Sequence, residues 1–144
     1  MRYLMQFAAA VFLTFAGSAF AADTALRVQD PAKFCEDMFA DISPFKARGM
    51  ATKIATTVGK QDAAETIENA LKVLDGRKID FSKKVVDRDV NGALRQIVYY
   101  TYIEDIGYVY FRFNFKMSST GWRLANFTFK SETNELFPKD FVDE

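Results

Sequence analysis

Helical periodicity followed by strand periodicity predicts an α+β domain, in which N-terminal helices pack on a curved antiparallel sheet of about four strands. Three observations carry it. Up to Leu74 the apolar residues recur every third or fourth position; from Ile79 they recur every second. The second half is cut by turn-rich stretches at Asn91-Gly92, Glu104 to Gly107 and Ser118 to Gly121. No βαβ alternation, internal repeat or low-complexity linker interrupts this order.

The first segment is read as a leader. Arg2 is the only charge before Asp23, an apolar run follows from Phe7 to Gly17, and Ser18-Ala19-Phe20-Ala21-Ala22 places small residues at an A-x-A spacing. That is the order of a secretory signal peptide covering residues 1–21, cleaved after Ala21 or Ala22. The run is short for a membrane span, so residues 22–144 are expected as one periplasmic or secreted domain. Such a location excludes most ATP-driven and nicotinamide-driven chemistry.

Thr24 to Gln29 reads as an extended lead-in. Asp30-Pro31 starts a helix, with Asp as N-cap and Pro at the first position. Phe34, Met38 and Ile42 form its stripe, with Phe39 beside them, and Ser43-Pro44 breaks it. A second helix is expected from Pro44 to Val58, through Met50 and Ile54, with Gly59 as its stop. Asp62 is expected to cap a third, carrying Ala64, Ile67, Leu71 and Leu74 and ending at Gly76.

Ile79, Phe81 and Val85 mark the first strand, before a turn-rich stretch from Asp87 to Gly92. Leu94 to Ile103 is the second strand, Tyr108 to Met117 the third and Trp122 to Lys130 the fourth. Ser131 to Glu144 is a polar tail holding Leu136, Phe137 and Phe141. A two-residue turn at Asp105-Ile106 would set Ile103 opposite Tyr108, Tyr99 opposite Arg112 and Phe113 opposite Val98. Pairing Ser118 with Gly121 sets Phe115 opposite Leu124, after which the core parity fails at Asn126 and Thr128. A one-residue bulge near Ala125-Asn126 would restore it, placing Phe113 opposite Phe127 and Phe111 opposite Phe129. The alternative leaves Phe127 and Phe129 on the outer face as a partner surface.

Composition narrows the chemistry. Histidine is absent, which excludes Ser-His-Asp and Cys-His sites and argues against catalytic zinc. No metal site and no cofactor is expected. Cys35 is the single cysteine, so there is no internal disulfide; next to the stripe of Phe34 and Met38 it reads as a buried, inert thiol. Without Arg2, 18 basic residues face 19 acidic ones. The basic residues are scattered, which argues against nucleic acid as a partner.

Three helical pieces followed by long strands resemble the nuclear transport factor 2-like (cystatin-like) superfamily. Tyr108 to Met117, followed by Gly121-Trp122-Arg123-Leu124 and its continuation to Phe129, is similar to the final hairpin of small exported bacterial members. The resemblance spans roughly residues 30–137. It implies a cone-shaped domain and a homodimer paired through the outer sheet face. Because members include isomerases, dehydratases, ligand binders and adaptors, it implies no single activity.

Two sites are expected. One is a cone pocket for a small apolar ligand, lined by Phe34, Met38, Tyr100, Tyr102, Phe111, Phe113 and Trp122, with a filled core as the competing reading. The other is an interface for a second copy or a protein partner, formed by Tyr99, Thr101, Tyr108, Tyr110, Arg112 and Arg123. Tyr100 and Tyr102 could serve an isomerase as oxyanion donors, but no Asp or Glu falls on the inward parity of the third or fourth strand. No residue is assigned a catalytic role. The functional expectation is a non-catalytic binding or accessory module, with a His-free lyase or isomerase as the alternative.

Overall fold

The computed structural model describes residues 25–131 and the backbone of Leu13–Thr14. Three helices, α1 (Pro31–Phe39), α2 (Ala47–Val58) and α3 (Ala64–Leu71), pack with an open antiparallel sheet. Its four long strands are β2 (Ile79–Val90), β3 (Leu94–Ile103), β4 (Gly107–Ser118) and β5 (Gly121–Lys130). The two-residue strand β1 (Leu13–Thr14), within the stretch read as a leader, pairs with the free edge of β5 and gives the order β1-β5-β4-β3-β2. The rest of the stretch read as a leader, and residues 132–144, lie outside the described residues. Among the described residues no helix is long and apolar enough to cross a membrane.

The helix starts and stops follow local chemistry. The Asp30 carboxylate accepts from the N–H groups of Ala32 and Lys33 at 2.9 and 3.3 Å. α1 ends at Phe39 rather than reaching Ile42, and the chain turns through Ser43-Pro44 to bury Phe45. Phe45 is pinned by backbone bonds to Arg77 and Gly76, both 2.8 Å. That detour moves the start of α2 from Pro44 to Ala47, whose N–H is capped from across the fold by Asp75 at 2.8 Å. α2 closes at Gly59, with the N–H groups of Gly59 and Lys60 bonding back to Thr56 and Ala55. Asp62 lies inside a short 3-10 turn (Gln61–Ala63) rather than at a cap.

The strands depart from expectation at two turns. β2 continues through the turn-rich stretch to Val90, because Asn91 and Gly92 (φ 52° and 67°) make the whole reversal. Between β3 and β4 the loop has three residues, 104–106, with Asp105 at φ 65°, so Ile103 pairs with Gly107 and not with Tyr108. This corrects the register by one: Tyr99 lies opposite Phe111, Ile97 opposite Phe113 and Val98 opposite Arg112. Tyr99 and Thr101 therefore point inward, and Tyr100 and Tyr102 outward.

The bulge in β5 stands at Ala125, with Phe113 opposite Phe127 and Phe111 opposite Phe129. Two more irregularities interrupt β2, between Ile79 and Phe81 and between Lys84 and Val86. Bulges bend a sheet and raise its twist. The inner face packs on the helices. Phe39 stacks on Tyr99 at 4.1 Å and meets Phe111 and Phe113 edge-on, and Phe45 lies 6.0 Å from Phe111. Phe111, Phe113, Phe115 and Phe127 are buried to within 1 %. Each such ring contributes on the order of 2–3 kcal/mol of hydrophobic stabilisation.

Candidate functional site

With the register set, the outward residues fall into rungs that cross the four long strands. Reading from β2 to β5, Lys83, Tyr100, Tyr110 and Lys130 share one rung. Phe81, Tyr102 and Tyr108 share the next, where β5 has ended. In the other direction come Val86, Val98, Arg112 and Thr128, then Arg88, Gln96, Asn114 and Asn126. In that last rung the amides bond in series, Gln96 to Asn114 at 3.0 Å and Asn114 to Asn126 at 3.3 Å.

The two aromatic rungs form one cluster. Tyr100 stacks on Tyr108 at 5.0 Å, lies 5.0 Å from Tyr110 and meets Phe81 edge-on at 5.6 Å; Tyr102 meets Tyr108 edge-on at 5.0 Å. Ring pairs in these geometries each add about 0.5–1.5 kcal/mol beyond area burial. Desolvation first, and a hydrogen bond with Tyr108 second, push the Tyr100 hydroxyl up to about 12. Burial raises Tyr110 and lowers the Arg112 guanidinium from its ordinary value. Phe81, Tyr102 and Tyr108 remain open to solvent.

Charge on this face has one sign. Its paired positions carry Lys83, Arg88, Arg112, Lys116, Arg123 and Lys130, and among the described residues no Asp or Glu shares those positions. Carboxylates stand on the opposite face. There Asp87 accepts two bonds from Arg95, at 2.8 and 3.1 Å, and one from Lys84 at 3.3 Å. Lys84 also reaches Glu36, and Arg95 approaches Asp30 at 3.8 Å, so the network ties α1 to the β2–β3 hairpin. Arg95 beside it holds the Asp87 carboxyl below the usual carboxylate range. A carboxylate held ionised in this way is a strap, not a poised acid or base.

The two expected sites are redistributed. Tyr108, Tyr110, Arg112 and Arg123 share the outer face; Tyr99 and Thr101 do not. Thr101 is buried and donates to the Val109 carbonyl at 2.9 Å, and burial pushes the inward Tyr99 hydroxyl up to about 12. The seven pocket residues are not brought together. Phe111 and Phe113 lie in the packed core, while Tyr100 and Tyr102 lie outside. Trp122 packs at the core's margin, its carbonyl bonded to the Val28 N–H. Met38 borders a groove of about 170 Å³ between α1 and α2, and Phe34 borders an open one of about 310 Å³ beside the lead-in. Cys35 is fully buried, which pushes its thiol well above the usual range.

Phe81, Lys83, Arg88, Lys116 and Lys130 belong to the face but were not singled out by sequence. The alternation in β4 and β5 could have flagged Lys116 and Lys130, which share the parity of Arg112. The β2 residues could not be assigned, because each bulge in that strand resets its parity. No family model, curated protein or solved structure matches this chain.

Proposed function

We propose that this protein is an exported, non-catalytic binding or accessory module that engages an acidic partner protein through the outer face of its sheet. One observation carries the reading: five aromatic side chains, Phe81, Tyr100, Tyr102, Tyr108 and Tyr110, touch one another on a face whose paired positions carry six cations and, among the described residues, no carboxylate. Tyr and Arg are the residue types that anchor protein interfaces, and a one-sign field steers an oppositely charged partner. The same field disfavours a second copy packed face to face, since two copies would oppose like charges. An unlike, acidic partner fits better than the homodimer that the family resemblance implies. Export is supported by the leader-like order of Arg2, Phe7 to Gly17 and the A-x-A spacing.

A photo-crosslinking amino acid placed in the full chain tests this. At Tyr108 it is expected to trap a protein partner; at Lys72, exposed on the helical side, it is not. Charge reversal at Lys83 and Lys116 should abolish the Tyr108 adduct. Equal adducts at both positions, none at either, or indifference to charge reversal would overturn the reading.

A further inference from the structure

The helical side of the molecule carries a groove of its own. α1 ends at Phe39, and the detour through Ser43-Pro44 that buries Phe45 holds that end apart from the first turns of α2. The space left between them is about 170 Å³. Its floor is apolar, since Met38, Phe45 and Met50 are all buried. Its rim is charged. Asp37 and Asp41 come from α1 and the turn after it, and Lys46 and Lys53 come from the N-cap and body of α2.

Two of these charges are already engaged. Asp37 accepts from Lys33 at 2.9 Å on its own helix, and the Lys53 ammonium stands 5.3 Å from the centre of the Phe34 ring. Asp41 and Lys46 differ from them: among the described residues no side-chain hydrogen bond or ion pair holds either one, and no ion pair crosses the groove. An acid and a base that border one cleft without closing on each other suit a ligand that carries both charges, because each end then gains a charge-assisted hydrogen bond. Gly49 lines the same cleft, on the helix face of Lys46, Met50 and Lys53. It lies in the first turn of α2 with no positive φ, and a Cβ there would meet only the Lys46 Cβ, at 3.7 Å, an ordinary contact. Neither backbone nor packing calls for glycine, which is a poor helix former. What its missing side chain provides is open space above the apolar floor.

We propose that the α1–α2 groove binds a free α-amino acid with an apolar side chain. The side chain rests on Met38, Phe45 and Met50, the ammonium group donates to the Asp41 carboxylate, and the carboxylate accepts from the Lys46 ammonium. Size sets the class of ligand, since the groove is well below the roughly 300 Å³ at which sites for drug-sized molecules begin. Charge sets the rest: an uncharged apolar molecule would use neither rim group, and an amine or an acid alone would use one. The site lies between helices and not on the outer sheet face, so it does not rest on the partner reading made there.

Titration of the full chain with L-leucine, followed by the Gly49 and Met50 amide shifts in nitrogen-15 NMR, tests the proposal. The shifts should saturate with a Kd on the order of millimolar. Isocaproate, which lacks the ammonium group, and isoamylamine, which lacks the carboxylate, should each bind about fivefold more weakly, the scale of one solvated ion pair. Gly49→Leu places a side chain in the open space and should abolish saturation while the amide shifts of Phe111 and Phe113, in the core, stay in place. If those core shifts move, the exposed positions are read instead. Asp41→Asn should weaken leucine about fivefold and leave isocaproate unchanged, and Lys46→Gln should weaken leucine equally and leave isoamylamine unchanged. Absence of saturation with leucine, equal binding of the three probes, or leucine binding indifferent to these substitutions would overturn the proposal.

Discussion

The two faces of this sheet are built from alternate residues of the same strands, yet they obey different rules. Along β4 the inward residues are Val109, Phe111, Phe113 and Phe115, and the outward ones are Tyr108, Tyr110, Arg112, Asn114 and Lys116. Both sets are rich in rings. What separates them is the polar handle: a Phe ring gains only by leaving water, whereas Tyr and Arg can be buried or exposed and still keep a hydrogen bond. Inside, three helices cover the rings. Outside, a ring cluster is left partly open among cations. Aromatic content alone therefore does not mark a core or a site; which side of the pleat it falls on does.

The largest expected effect separates the faces by stability. Phe111→Ala removes a ring in contact with Phe39, Phe45, Phe127 and Phe129, and should cost about 3–5 kcal/mol in denaturant unfolding. Tyr108→Ala removes a ring from the open corner and should cost about 1 kcal/mol, the scale of its ring pairs, while abolishing partner capture. Equal losses at the two positions would show that the outer cluster is a second core and not a surface.

How much of this was legible depends on where the turns lie. The Ala125 bulge was legible because Phe127 and Phe129 sat on the wrong parity for a strand facing Phe111 and Phe113, and a bulge is the local repair. The β3–β4 register was not. Glu104-Asp105-Ile106-Gly107 admits a two- or a three-residue loop, and the choice turns on Asp105 adopting a left-handed conformation that Asp tolerates but does not announce. That single residue exchanged Tyr99 and Thr101 for Tyr100 and Tyr102 between the faces. The order of helices and strands was legible from periodicity. The detour that buries Phe45 was not, since its cap, Asp75, is remote in sequence.

A middle-sized effect probes the strap that holds α1 to the inner side of the β2–β3 hairpin. Asp87→Asn should cost about 0.5–1 kcal/mol near neutral pH, since the pair with Arg95 is partly solvated. The sign of the pH dependence follows from the direction of the shift. Bonding to Arg95 lowers the folded-state value, so the stability is fully present above the ordinary carboxylate pKa and is lost as pH falls through the lowered value. Below that range wild type and variant should unfold at the same denaturant concentration. A gap that persists there would assign the effect to packing instead of charge.

The smallest effect sharpens the comparison most, because it sets one tyrosine from each face against the other. Tyr99 and Tyr100 are both pushed up to about 12, with desolvation the leading cause in each, but only Tyr100 also bonds Tyr108. Both are raised acids, so the unfolded chain ionises first, near 10, and stability should fall as pH rises from about 10 until the folded hydroxyls ionise near 12. Tyr108→Phe removes the hydrogen bond on the outer face and leaves the inner face untouched. In a spectrophotometric titration it should lower Tyr100 by the smaller, hydrogen-bonded share of its shift, and Tyr99→Phe should remove the ionisation near 12 that this change leaves unmoved. If Tyr108→Phe leaves both high-pH ionisations in place, desolvation alone governs the outer cluster. Tyr100 would then be as thoroughly covered as Tyr99, and the contrast between an inner core and an open outer surface would fail at that rung.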